Sequence, residues 1–166
     1  MVSATNVSAI ARIHKSFTYL IPAILDQGIM GVRVSEVDTV EEARAIARQA
    51  NYPPIGDRGI SGQGMHTGYR SHGARHATEY APWANANVLV AVSIESLEGL
   101  ENVEAIAAVD GIDMIAYGHS DLSARPGVHS QLEHPAGTCF MGVGRRLSTA
   151  TSRRDIKWAP KLVAIR

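Results

Sequence analysis

Two carboxylates stand where a parallel α/β architecture does its chemistry. Glu95 directly follows the apolar run Val88-Leu89-Val90-Ala91-Val92-Ser93-Ile94, and Asp121 lies just beyond a second run, in Gly118-His119-Ser120-Asp121-Leu122-Ser123. If the two runs are neighbouring parallel strands, residues just past their C-terminal ends converge on one rim, the rim that hosts active sites in barrels. Two oxygen donors so placed suit Mg²⁺ or Mn²⁺, which take one or two carboxylates and leave positions to water and substrate. Taken singly, each acid is equally a helix cap or a solvated rim group, and that alternative stays open. His119 reads as a third ligand, a partner of a ligand or an ordinary loop histidine.

A single arginine, Arg58, lies among glycines in Pro53-Pro54-Ile55-Gly56-Asp57-Arg58-Gly59-Ile60-Ser61-Gly62. Glycine lets a small molecule approach the backbone, and a guanidinium holds a carboxylate by two parallel hydrogen bonds. An unremarked surface arginine in a flexible loop is the competing reading. His66, His72 and His76 invite a metal reading, but no flanking pattern supports zinc and solvated loop histidines fit better.

The elements that must position these groups alternate along the chain. Residues 9–13 form a short apolar run interrupted by Arg12 and read as a strand. Residues 19–26 place Leu20, Ile21, Ile24 and Leu25 at helical spacing, with Gly28 as a stop. A strand follows at 29–37. Thr39 and Asp38 then offer caps for a helix at 40–50, whose apolar face is Val40, Ala43, Ile46, Ala47 and Ala50. Tyr52-Pro53-Pro54 ends it, because the residue before a proline is pushed out of the helical region. Residues 56–73 read as a long functional loop, and 78–85 as a further helix. The strand at 88–94 is nearly continuous in apolar residues, as expected of one covered on both faces. An amphipathic helix at 97–109 aligns Leu97, Leu100, Val103, Ile106 and Ala107, and 112–117 is the last strand. Such alternation implies right-handed crossovers and a parallel sheet or barrel.

The 166 residues suit one domain, and an apolar share of 45% supplies a real core. Sixteen basic and sixteen acidic side chains balance, so the overall field favours neither nucleic acid nor an anionic membrane. Cys139 is alone, which rules out an internal disulfide and points to a reducing, cytoplasmic setting. No apolar run approaches the roughly 20 residues of a membrane span, and the N-terminus lacks a signal-peptide pattern. Residues 136–166 carry no clear amphipathic helix and are rich in arginine, so they read as a divergent basic tail after a first region at 1–135.

Several segments together resemble one family. Leu25-Asp26-Gln27-Gly28 leading into Val34-Ser35-Glu36-Val37 and Thr39-Val40-Glu41-Glu42-Ala43, then Tyr52-Pro53-Pro54-Ile55-Gly56-Asp57-Arg58-Gly59, are similar to successive motifs of the HpcH/HpaI aldolases. The strand ending in Ile94-Glu95, the stretch from Asp110-Gly111-Ile112-Asp113 to Gly118-His119-Ser120-Asp121-Leu122-Ser123, and His134-Pro135 continue the pattern in order. The resemblance implies a (β/α)₈ TIM barrel of the phosphoenolpyruvate/pyruvate type. Since it runs from about Ile10 to Pro135, it implies an incomplete barrel of about four strand–helix units, truncated at both ends.

It also implies an activity: cleavage or formation of 4-hydroxy-2-oxo acids to give pyruvate and an aldehyde, with a divalent metal, Mg²⁺ or Mn²⁺ and in some cases Co²⁺. Glu95 and Asp121 are then the metal ligands, and Arg58 grips the pyruvate carboxylate. Backbone N–H groups around Gly118, His119, Ser120 and Asp121 complete the anion site. Ser93 stands where many members have glutamine, which weakens a substrate hydrogen bond. His14 follows the first strand, but its surroundings do not match the family's histidine base. The expected partners are the small 2-oxo acid, its aldehyde and further copies of the chain. Competing readings are an inactive truncated homologue serving as an assembly or binding partner, and a citramalyl- or malyl-CoA lyase-like enzyme.

Overall fold

The computed structural model describes residues 7–70 and 75–124. His72, His134-Pro135 and the tail at 136–166 lie outside the described residues, as do the side chains of His76 and His119. Four strands, β1 (Ala11–His14), β2 (Gly31–Ser35), β3 (Leu89–Ile94) and β4 (Met114–Tyr117), form one parallel sheet in the order β1-β2-β3-β4. Spatial order equals chain order, so each strand–helix unit is laid down beside the last in one rotational sense, as in a (β/α) barrel. These four strands form an open arc of such a barrel.

Among the described residues six α-helices connect and flank them: α1 (Ile21–Asp26), α2 (Val40–Ala50), α3 (Ala81–Asn87), α4 (Leu97–Glu101), α5 (Val103–Ala107) and α6 (His119–Ala124). Alternation along the strands sends Val32, Val34, Val90, Val92 and Ile94 to one face, where they join Ile21, Leu25, Ala43, Ile46, Ala47, Val103 and Ile106 in a single buried core. The same period of two sends Arg12, Arg33, Ser93 and then Glu95 to the other face. Cα register confirms the row, since Arg12 pairs with Arg33 and Arg33 with Ala91.

Helix α2 starts where its caps dictate. Thr39 Oγ1 accepts from Glu42 N at 3.2 Å, and Glu42 Oε2 accepts from Thr39 N at 3.3 Å, a reciprocal capping box. Elsewhere the observed elements differ from the expected ones for local reasons. The helix expected over 19–26 is preceded by a 3-10 segment, Lys15–Leu20, and the α-helix begins where Pro22 fits its first turn. The single helix expected over 97–109 is divided at Asn102, whose Nδ2 donates to Asp38 O at 2.8 Å. Leu97, the first residue of α4, is 56% exposed and so is not on the core face. The helix expected over 78–85 opens as a π-type turn, His76–Tyr80, before α3.

Candidate functional site

Glu95 takes its place from β3. The strand ends at Ile94, and the next side chain falls on the polar face at the C-terminal rim, only 3% exposed. Its Oε1 lies 3.6 Å from Arg12 Nη2 of β1 and accepts no hydrogen bond among the described residues. Burial pushes the Glu95 carboxyl above the usual carboxylate range, and the nearby charges of Asp121 and then Glu36 push the same way, while Arg12 and Arg33 oppose it. The end of β4 closes over this carboxylate: Gly118 N donates to Ile94 O at 3.0 Å, and α6 starts at His119.

Beside Glu95, Arg33 of β2 donates from Nε to Ser93 Oγ at 2.7 Å, and Ser93 is fully buried. The Ser93 hydroxyl thus fixes a guanidinium. Neither Arg12 nor Arg33 emerges as a site residue from the sequence, although a signal exists. Each is a lone cation inside an otherwise apolar strand, opposite in parity to the core valines, a placement that is costly unless the face has charged work to do.

Outside this cluster the rim is tied by ion pairs. Lys15 Nζ bridges Asp38 Oδ2 at 2.7 Å and Glu42 Oε1 at 2.9 Å, and Ser96 Oγ donates to Asp38 Oδ1. His14 Nε2 lies 3.4 Å from Glu36 Oε2, while its Nδ1 accepts from Ser16 N at 3.1 Å. Glu36 itself holds a left-handed backbone at φ 60°.

Arg58 is not brought to this rim. Its backbone N donates to Asn51 O at 3.0 Å, and Asn51 Nδ2 reaches Gly111 O ahead of β4, at 3.3 Å. That locates Arg58 at the N-terminal end of the sheet, the end opposite Glu95. There its Nη2 pairs with Asp26 Oδ1 at 2.5 Å, its guanidinium stacks 4.7 Å from the Tyr52 ring centre, and the side chain is buried. The expectation that Arg58 grips a substrate carboxylate is corrected accordingly: the flexible glycine loop is anchored by Asp26, a partner supplied from α1. The anion site expected from backbone N–H groups also loses one donor, since Gly118 N is committed to Ile94 O. Ser120 and Asp121 are exposed in α6, and Asp121 stands near enough to act on Glu95 electrostatically.

Glu95 and Asp121 are the residues that could hold a divalent cation here. The buried Glu95 Oε1 has no hydrogen bond and feels the negative charge of Asp121, so it lacks the positive partner that burial demands, and Arg12 at 3.6 Å supplies it only in part. Among the described residues no group of three or more His, Cys, Asp or Glu forms a cage, so further ligands to a bound cation would be water or substrate oxygens.

Comparison with known proteins places this geometry in context. The family model described as HpcH/HpaI aldolase/citrate lyase matches residues 1–159. A hydroxypyruvate/pyruvate aldolase of Roseobacter denitrificans is 38% identical over 134 residues, covering 81% of this chain and 51% of the relative. A 4-hydroxy-2-oxovalerate aldolase of Novosphingobium aromaticivorans is 38% identical over 121 residues, covering 73% and 44%. The chain thus spans about half the length of the curated relatives it matches. The crystal structure of an HpcH/HpaI aldolase from Desulfitobacterium hafniense DCB-2 superposes with a TM-score of 0.77 at 26% identity, over 91% of this chain and 57% of that one. With four parallel strands wound as in a TIM barrel and an acid at the expected strand end, this chain belongs to the HpcH/HpaI aldolase/citrate lyase family.

Proposed function

We propose that this chain carries the cation-binding and carboxylate-binding part of an aldehyde-lyase site, one that cleaves or forms 4-hydroxy-2-oxo acids to give pyruvate and an aldehyde. The observation that supports it most directly is the buried Glu95, whose Oε1 accepts no hydrogen bond, lies 3.6 Å from the Arg12 guanidinium and feels the charge of Asp121. Relatives named as pyruvate and 4-hydroxy-2-oxovalerate aldolases agree with that chemistry.

In this reading Glu95 and Asp121 would hold Mg²⁺ or Mn²⁺. When bound, the cation supplies Lewis acidity toward the oxygens of the 2-oxo acid. Arg12, whose side chain is 63% exposed, takes the substrate carboxylate in the role that Arg58 cannot fill from the far end of the sheet. From that position the Arg12 guanidinium also favours negative charge developing at the adjacent carbonyl. Gly118 leaves the space against Glu95 that a side chain would fill. The lone Cys139 accords with a cytoplasmic enzyme, and self-association is part of the proposal.

A thermal melt of the full chain with Mn²⁺, with oxalate and with both tests this reading. A ligand that binds only the folded state raises the melting temperature. The expected result is a rise with Mn²⁺ that oxalate enlarges and that disappears in Glu95→Gln. A cooperative transition indifferent to both would overturn the assignment.

A further inference from the structure

The polar face of the sheet carries two guanidiniums side by side, and among the described residues only one of them has a carboxylate within ion-pair distance. Arg12 and Arg33 are Cα partners on adjacent parallel strands, so their side chains leave the same face side by side. Like charges placed directly opposite each other destabilise a sheet unless an anion lies between or beside them. Arg12 has Glu95 at 3.6 Å. Arg33 is half-buried, and its fixed partner is a neutral hydroxyl, Ser93 Oγ, reached through Nε. Its two Nη groups form the end-on edge of the guanidinium, the edge that meets a carboxylate in paired hydrogen bonds.

A half-buried guanidinium moored by a neutral group is costly without a counter-charge, and its mooring keeps it preorganised for one. Ser93 precedes Glu95 by two residues on the same face of β3, which puts the moored Arg33 guanidinium on the side of the sheet that carries that carboxylate.

We propose that Arg33, moored by Ser93 beside Arg12, is a specificity residue that takes a second carboxylate, so that the site prefers 2-oxo dicarboxylates over 2-oxo monocarboxylates. The inference rests on the proposed reading of Glu95 and Arg12 as the 2-oxo acid site. Within it, Arg12 meets the carboxylate next to the carbonyl and Arg33 the distal one. A methyl group in the distal position would leave Arg33 unpaired in a half-buried place, and that penalty is the source of discrimination.

Calorimetric titration of the full chain with Mn²⁺ present, using 2-oxoglutarate and 2-oxopentanoate, tests it. These ligands differ only in a terminal carboxylate against a methyl group. The wild type is expected to favour 2-oxoglutarate by about tenfold or more, Arg33→Met to bind both alike, and Ser93→Ala to keep only part of the preference. Arg33→Lys, which keeps the charge but not the fork, is expected to fall between the wild type and Arg33→Met. Circular dichroism melts verify that each variant folds. A wild type that binds both ligands equally, or an Arg33→Met variant that folds and keeps the full preference, overturns the role of Arg33 and leaves the 2-oxo acid site standing. A wild type that binds neither ligand, with or without Mn²⁺, removes the site itself and the inference with it.

Discussion

A Cβ on Gly118 would lie 2.5 Å from Glu95 Cγ and 3.0 Å from its Cδ. The two residues follow adjacent strands, and the Gly118 N–H bond to Ile94 O holds the chain too close to Glu95 for any side chain. Gly118→Ala therefore forces the buried carboxylate out of position. Overpacking of this kind costs about 1–3 kcal/mol. The expected outcome is a modestly lower melting temperature with Mn²⁺ affinity reduced about tenfold or more, read by titration of the free ion's paramagnetic resonance signal. Wild-type Mn²⁺ affinity in a folded Gly118→Ala protein would separate Glu95 from cation binding.

Glu95 also makes metal-free stability depend on pH. Burial, followed by the charge of Asp121, raises its folded-state pKa above the ordinary 4.5, so the fold prefers the protonated form. Stability from that preference is fully present below the ordinary value and is lost as pH rises through the folded one. Glu95→Gln mimics the protonated acid. Without metal it should melt close to the wild type at about pH 4 and above it at about pH 7, and saturating Mn²⁺ should reverse the order at neutral pH. Parallel melting curves for the two proteins across that range would refute the assignment.

Arg58 and Asp26 give the opposite signature. Arg58 is buried, and truncating one partner of a buried pair leaves the other charge uncompensated, at a cost of about 3 kcal/mol. Arg58→Met should lower the melting temperature sharply while leaving Mn²⁺–oxalate affinity unchanged at temperatures where the protein stays folded. A selective loss of oxalate affinity with normal stability would return Arg58 to the binding site.

Arg12→Leu should do the reverse. The side chain is 63% exposed and its ion pair with Glu95 is long, so stability should change little. Oxalate affinity in the presence of Mn²⁺ should fall about 10- to 100-fold, the worth of a charge-assisted hydrogen bond of about 1.5–3 kcal/mol. Calorimetry reads the affinity directly.

Thr39→Ala removes the capping box of α2 and should cost about 1 kcal/mol, visible as a shift in denaturant midpoint with unchanged ligand binding.

Much of this is local and therefore legible in the amino-acid sequence. Thr39 and Glu42 cap their own helix, valine-rich runs form strands, and acids that follow such runs fall on a rim, because each relation spans only a few neighbouring residues. The strand–helix alternation and the placement of Glu95 and Asp121 followed from that. Tertiary structure alone decided which arginine stands beside Glu95. Arg58 and Asp26 are 32 positions apart and Arg33 and Ser93 are 60 apart, so their partners become neighbours only when the sheet forms. A glycine-flanked arginine looks free along the chain, and a strand arginine looks like an interruption. Burial reversed both appearances, because a guanidinium taken out of water must find a partner, charged or neutral, wherever the fold brings one.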